Sequence, residues 1–146
     1  EVSLSDRVTV TQGRPSKCHS SVTATESEIQ MSRSRAKGTA WESAIVDYLR
    51  DNGAPHAERR AQSGATDRGD IAGIPAVVIE AKSAAKVELA VWLDEAEHER
   101  DNDHADLGVV WFKRRGKTSP GDGFVLMSGA ALVQLLADAG YIKEEG

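Results

Sequence analysis

Four consecutive apolar residues, Ala76-Val77-Val78-Ile79, run straight into Glu80-Ala81-Lys82, and no other feature narrows the possible folds as much. An unbroken run of this kind favours a strand buried on both faces, because a strand exposed on one face would alternate. Such a strand needs cover on both sides of its sheet, which helices supply. It also carries a carboxylate and an amine to the edge of the core. Strand side chains repeat every two residues, so Glu80 and Lys82 share a side, roughly 7 Å apart along the chain.

The flanking patterns provide that cover. From Thr39, residues Trp41, Ala44, Ile45, Tyr48 and Leu49 form one helical stripe. Asn52-Gly53 closes this helix, and Pro55 disfavours its continuation. A short polar strand is expected around Ala57 to Gln62, then a loop of Ser63, Gly64, Ala65, Thr66 and Asp67. Strands follow at Asp70 to Ala72 and Ala76 to Ala81, separated by Gly73-Ile74-Pro75. Lys86 to Asn102 reads as a second helix, apolar early and acidic late. Leu107 to Phe112 and Phe124 to Met127 read as strands around the Pro120 to Gly123 turn. Ser128 caps a last helix that ends at Gly140. The expected class is α/β, a mixed central sheet flanked by helices in the order α-β-β-β-α-β-β-α.

With 146 residues, of which 40% are apolar, the chain makes one domain. The single cysteine, Cys18, excludes a disulfide framework and any multi-cysteine zinc site, so a reducing cytoplasm is the expected location. No uncharged apolar run approaches the roughly 18 residues that span a bilayer, which excludes an integral membrane protein. The net charge of −5 means that any contact with nucleic acid must come from local positive charge. Ten of the first thirty residues are Ser or Thr, and no apolar period is sustained among them. Residues 1–30 therefore read as a disordered or non-native extension ahead of a natural start at Met31, with 31–146 the folded domain. An ordinary flexible N-terminus would look the same. The Cys18-His19 pair is given no function.

The chemistry concentrates between Asp70 and Lys82. If the strands bearing Asp70 and Glu80 pair as neighbours, two carboxylates converge beside an amine. At the end of a buried strand that group is costly unless a cation neutralises it. Mg²⁺ suits it, since Mg²⁺ prefers oxygen ligands and takes only one or two carboxylates. Lys82 would then orient an attacking water or stabilise charge on a phosphate. Glu-x-Lys at a strand edge is also a common solvated ion pair. The four apolar residues before it, and an Asp ten positions upstream behind a glycine, favour the catalytic reading.

Asp70, nine residues, then Glu80-Ala81-Lys82 resembles the motif of the PD-(D/E)xK nucleases, and within them the Holliday junction resolvases of archaeal type and their phage relatives. Those carry Lys-Gly-x-x-x-Glu opening the first helix, as in Lys37-Gly38-Thr39-Ala40-Trp41-Glu42. They also carry an Arg-rich strand running into Ser-Gly, as in Arg59-Arg60-Ala61-Gln62-Ser63-Gly64, and often a Ser after the motif lysine, as at Ser83. The resemblance covers about Arg35 to Phe112. One departure is Gly69, where the name-giving motif has proline. The resemblance implies a restriction-endonuclease-like fold and a Mg²⁺-dependent endodeoxyribonuclease, with Mn²⁺ as a substitute, that cuts four-way junctions and leaves a 5′-phosphate and a 3′-hydroxyl. Asp70, Glu80 and the Ala81 carbonyl would hold the metal and Lys82 would assist the water. Glu42 would complete the site, although Thr39-x-x-Glu42 is equally a capping box. Ser63 would contact the scissile phosphate, or simply be a turn serine.

Local positive charge lies near these elements. Arg33, Arg35 and Lys37 precede or open the first helix, Arg59, Arg60 and Arg68 flank the motif, and Lys113, Arg114, Arg115 and Lys117 form a loop. Such side chains bind phosphate without reading sequence. The acids from Asp94 to Asp106 argue that the late second helix faces away from DNA. His98 and His104 within it are expected in solvent rather than on a metal. A junction has two equivalent strands to cut, so a C2 homodimer is the economical geometry, with Trp92 and Trp111 as interface or core candidates. The rivals are a repair or restriction nuclease of the same superfamily and an inactive DNA-binding module of the same fold. The Gln and Tyr of the exonuclease branch are missing from residues 86–102, and no extra recognition domain is present to support a restriction enzyme.

Overall fold

The computed structural model describes residues 24–61 and 67–143. Ser63, the Cys18-His19 pair and the rest of residues 1–23 lie outside the described residues. The elements are α1 (Glu26–Asp51), β1 (Glu58–Arg59), β2 (Ile71–Ala72), β3 (Val77–Lys82), α2 (Leu89–Asp103), β4 (Leu107–Phe112), a 3₁₀ turn (Pro120–Asp122), β5 (Phe124–Leu126) and α3 (Gly129–Asp138). The protein is α/β, with a five-stranded mixed sheet and three helices.

The first helix begins thirteen residues before Thr39, which corrects two expectations. Residues 26–30 are helical, and the capping box is Thr25 with Glu28: the Glu28 amide donates to Thr25 Oγ1 at 3.3 Å, and the Thr25 amide to Glu28 Oε2 at 2.7 Å. Thr39 and Glu42 therefore sit in mid-helix and cap nothing. The physical reason is that Thr-x-x-Glu at 25–28 satisfies free amides and starts the helix, while Gly38 lowers helix propensity by only about 1 kcal/mol and does not stop it. The Lys37 to Glu42 stretch is likewise internal to the helix rather than its opening.

The strands lie in the order β1-β2-β3-β4-β5, with β3 and β4 parallel and the other pairs antiparallel. The parallel pair is joined through α2, as parallel strands require a crossover. Two apolar layers sandwich this sheet. Trp41, Ile45 and Val46 of α1 pack on Ala57, Ile71, Ile79 and Val109, while Trp92 and Ala96 of α2 pack on Val110. Trp41 also donates from Nε1 to the Trp111 carbonyl at 3.0 Å, tying the middle of α1 to the end of β4. Gly108 lets α2 approach closely, because a Cβ there would lie 2.6 Å from the Ala96 carbonyl oxygen. Trp92 is core. Trp111 is half-buried, edge-on to Tyr48, and donates to the Pro120 carbonyl at 3.0 Å.

Candidate active site

The turn before β2 and the register of β3 bring the motif together. Ile71 pairs with Ile79 in antiparallel register, which sets Asp70 beside Glu80. The Asp70 amide donates to the Ile79 carbonyl at 3.0 Å, and the Ala81 amide donates to Asp70 Oδ2 at 2.9 Å. Gly69 makes this approach possible. Its φ is +85°, and a Cβ would lie 2.7 Å from Val78 Cγ1 and 3.1 Å from the Ile79 oxygen. Proline, held near −65°, cannot adopt that φ, so the departure from the name-giving motif follows from the turn itself. Gly69→Ala is expected to lower stability by about 1–3 kcal/mol through the left-handed backbone and the clash. Urea unfolding reads this directly, and an unchanged midpoint would mean that the turn has a strain-free alternative.

Glu80 lies in register with Val110, on the sheet face that α2 covers. Its Oε1 is 2.7 Å from Lys82 Nζ, and Lys82 Nζ is 2.6 Å from Glu95 Oε2 of α2. Glu99, one turn further along α2, is 7% exposed, hydrogen-bonds Glu80, and has one carboxylate oxygen buried without a partner among the described residues. The expectation that the late second helix faces away is thus corrected for Glu95 and Glu99. Sequence reasoning missed both, yet Trp92, Glu95, Ala96 and Glu99 form an i, i+3, i+4, i+7 stripe, which places those two acids on the packed face. His98 and His104 are exposed.

The electrostatics follow from burial. Asp70 is pushed up to about 7 by burial and then by the neighbouring Glu80 charge, against the Ala81 hydrogen bond, with Glu42 adding repulsion. Glu80 is raised to about 7 by burial, with Lys82 opposing and Glu99 reinforcing the rise. Glu99 is raised to about 7 chiefly by burial, and its hydrogen bond with Glu80 opposes the rise. Burial disfavours the Lys82 charge, but hydrogen bonds to Glu80 and Glu95 outweigh it and raise its pKa. Lys82 is therefore a firmly charged ammonium, suited to stabilising anionic charge rather than to accepting a proton.

Glu42 is not gathered into this group. Its Oε2 is held by Arg59, 2.6 Å from Nη2 and 2.8 Å from Nε, and among the described residues no three His, Cys, Asp or Glu side chains are placed to hold one ion. The physical reason is that the Arg59 ion pair already satisfies its charge. Asp70 and Glu80 remain as an oxygen donor pair whose ionisation burial opposes, with the unpartnered Glu99 oxygen nearby. That donor chemistry fits Mg²⁺, which needs only one or two carboxylates, and Mn²⁺ takes the same ligands.

The expected phosphate contacts divide into two kinds. Arg59 is paired with Glu42, while Arg60 and Arg68 share Asp103 at 3.2 and 3.5 Å. Arg33, Arg35, Lys37, Lys113, Arg114 and Arg115 make no ion pair among the described residues and are exposed. Lys113 Nζ lies 5.8 Å over the Trp41 ring, and the Arg114 guanidinium 5.6 Å over Phe124. A groove of about 480 Å³ runs from Arg35 and Thr39 past Glu42, Arg59 and Arg60 to Asp70. No family model matches this chain, and no curated protein or solved structure is significantly similar to it.

Proposed function

We propose that the protein is a metal-dependent endodeoxyribonuclease with a restriction-endonuclease-like fold, acting on branched DNA as a Holliday junction resolvase. The observation that carries this reading is the apposition of Asp70 and Glu80 across β2 and β3 with the Lys82 ammonium 2.7 Å from Glu80. Asp70, Glu80 and the Ala81 carbonyl would hold Mg²⁺ or Mn²⁺. Bound there, the ion would acidify a water and polarise a phosphoryl oxygen. Lys82 carries its charge to the same edge and stabilises the negative charge that develops on the phosphate. Glu95 fixes the lysine from the opposite side, so the amine is placed before substrate arrives. The groove from Arg35 to Asp70 leads a phosphate backbone toward the carboxylates, with the Glu42–Arg59 pair forming its wall.

Branched DNA is favoured by the resemblance of the Lys37 to Glu42, Arg59 to Gly64 and Asp70 to Ser83 segments to junction resolvases. A homodimer would supply one centre for each of the two equivalent strands of a junction. The test compares a synthetic four-way junction with the matching linear duplex in Mg²⁺. Paired symmetric nicks on the junction, absent on the duplex and lost in Glu80→Ala, are the expected result. Equal cutting of both substrates would keep a nuclease of the superfamily and remove the junction preference. Tight binding without cutting, unchanged in the variant, would leave a DNA-binding module and overturn the reading.

A further inference from the structure

The first half of α1 stands apart from the fold. Residues 26–37 are all exposed, and the first buried residue of the helix is Trp41. At 1.5 Å per residue, this segment projects roughly 18 Å. A helix that is polar all round and buries nothing contributes no core, so its place in the molecule calls for a partner. Its two sides face different surfaces. Arg35, Gly38, Thr39 and Glu42 follow i, i+3, i+4, i+7 and line the groove that leads to Asp70. Lys37 and Ala40 lie on the opposite side and line a second groove, of about 400 Å³, with Ser83, Lys113 and Arg115. The helix is thus a wall with unpaired cations on both sides.

We infer that this half of α1 is a wedge that lies in the major groove of double-stranded DNA. Arg35 faces the backbone of one strand, and Lys37 with Lys113 and Arg115 faces the backbone of the other. The inference rests on the nuclease reading in one respect: the strand on the Arg35 side is the one delivered to Asp70. The dimensions select the ligand. A helix with its side chains is about 10–12 Å across, and the major groove of B-form DNA is about 12 Å wide. The deep, narrow major groove of an RNA duplex does not admit it.

The test is fluorescence anisotropy in EDTA, using a labelled DNA oligonucleotide alone and annealed to its complement, and the same pair in RNA. The wild-type chain is compared with a Lys37→Ala, Lys113→Ala, Arg115→Ala variant, whose three exposed changes should leave circular dichroism and melting temperature unaltered. The wild type is expected to prefer duplex DNA over its single strand and to show no such preference for RNA. The variant is expected to lose about 10-fold or more in duplex affinity, with its salt slope reduced by about 3, while single-strand affinity stays within about 2-fold. Equal losses on both DNA probes, or no loss on either, would overturn the wedge, as would equal preference for the RNA duplex. A chain with the expected binding pattern that never cuts DNA in Mg²⁺ would lose the nuclease reading and keep the wedge. A chain that cuts without the pattern would lose the wedge alone, and absence of DNA binding would overturn both.

Discussion

Asp70→Asn is expected to reduce Mg²⁺-dependent cleavage by about 1,000-fold or more, which is about 4 kcal/mol of transition-state stabilisation. The same variant is expected to melt at a higher temperature than the wild type at about pH 8 in EDTA. Both effects have one cause. Asparagine keeps the shape of the side chain and an oxygen to accept the Ala81 amide, which now lies 2.9 Å from Asp70 Oδ2. What it removes is a charge that burial and Glu80 oppose. Removing one of two neighbouring buried charges of the same sign should stabilise the metal-free fold by about 1–2 kcal/mol, and each kcal/mol is worth about 2–4 °C in a domain near this size. An ordinary core polar residue would behave in the opposite way, since its removal leaves a partner unsatisfied. Cleavage retained in the variant would sink the catalytic role of Asp70. Lost cleavage with a lower melting point would mean that Asp70 is chiefly a structural acceptor for the Ala81 amide.

The part of this site that was legible in the sequence is the part written along single strands. Two-residue periodicity put Glu80 and Lys82 on one side, and they stand 2.7 Å apart. The bounds of Leu107–Phe112 were legible for the same reason, because a continuous apolar run marks a buried strand. Asp70 beside Glu80 depended on strand pairing, which periodicity cannot give, and the register of Ile71 with Ile79 supplies it. The α2 acids were misplaced because their charges suggested solvent, whereas Trp92 and Ala96 draw Glu95 and Glu99 onto the packed face with them. Glu42 illustrates a different limit. Its sequence context fits a cap and a metal ligand alike, and Arg59, seventeen residues away along the chain, determines that its carboxylate is held in an ion pair.

The metal-free protein is expected to be most stable in mild acid and to weaken as pH rises through neutrality. Asp70, Glu80 and Glu99 each stand near 7 in the folded state, well above the ordinary carboxylate range. Between about pH 4 and pH 7 the folded chain therefore holds protons that the unfolded chain has already released. Stability falls with pH wherever the native state binds more protons, so this contribution is full below the unfolded carboxylate pKa and is lost as pH rises through the folded one. The loss should amount to a few kcal/mol, since a tenfold change in one group's proton affinity between the folded and unfolded chain is worth about 1.4 kcal/mol. Mg²⁺ should reverse it on the alkaline side. Its ligands must be deprotonated, so binding competes with protons at about pH 5 and proceeds freely at about pH 8. At about a hundred times its dissociation constant it would add about 2.7 kcal/mol. Thermal melts at both pH values, in EDTA and in Mg²⁺, are expected to show a melting point that falls toward pH 8 in EDTA and is recovered there by Mg²⁺, with little effect of Mg²⁺ at pH 5. A melting point that rises toward pH 8 in EDTA would show that the three carboxylates are ionised at little cost, removing the electrostatic argument for a cation between them. Equal Mg²⁺ stabilisation at both pH values would place the ion away from Asp70 and Glu80, because only carboxylates that still hold protons at pH 5 make its binding depend on pH in that interval.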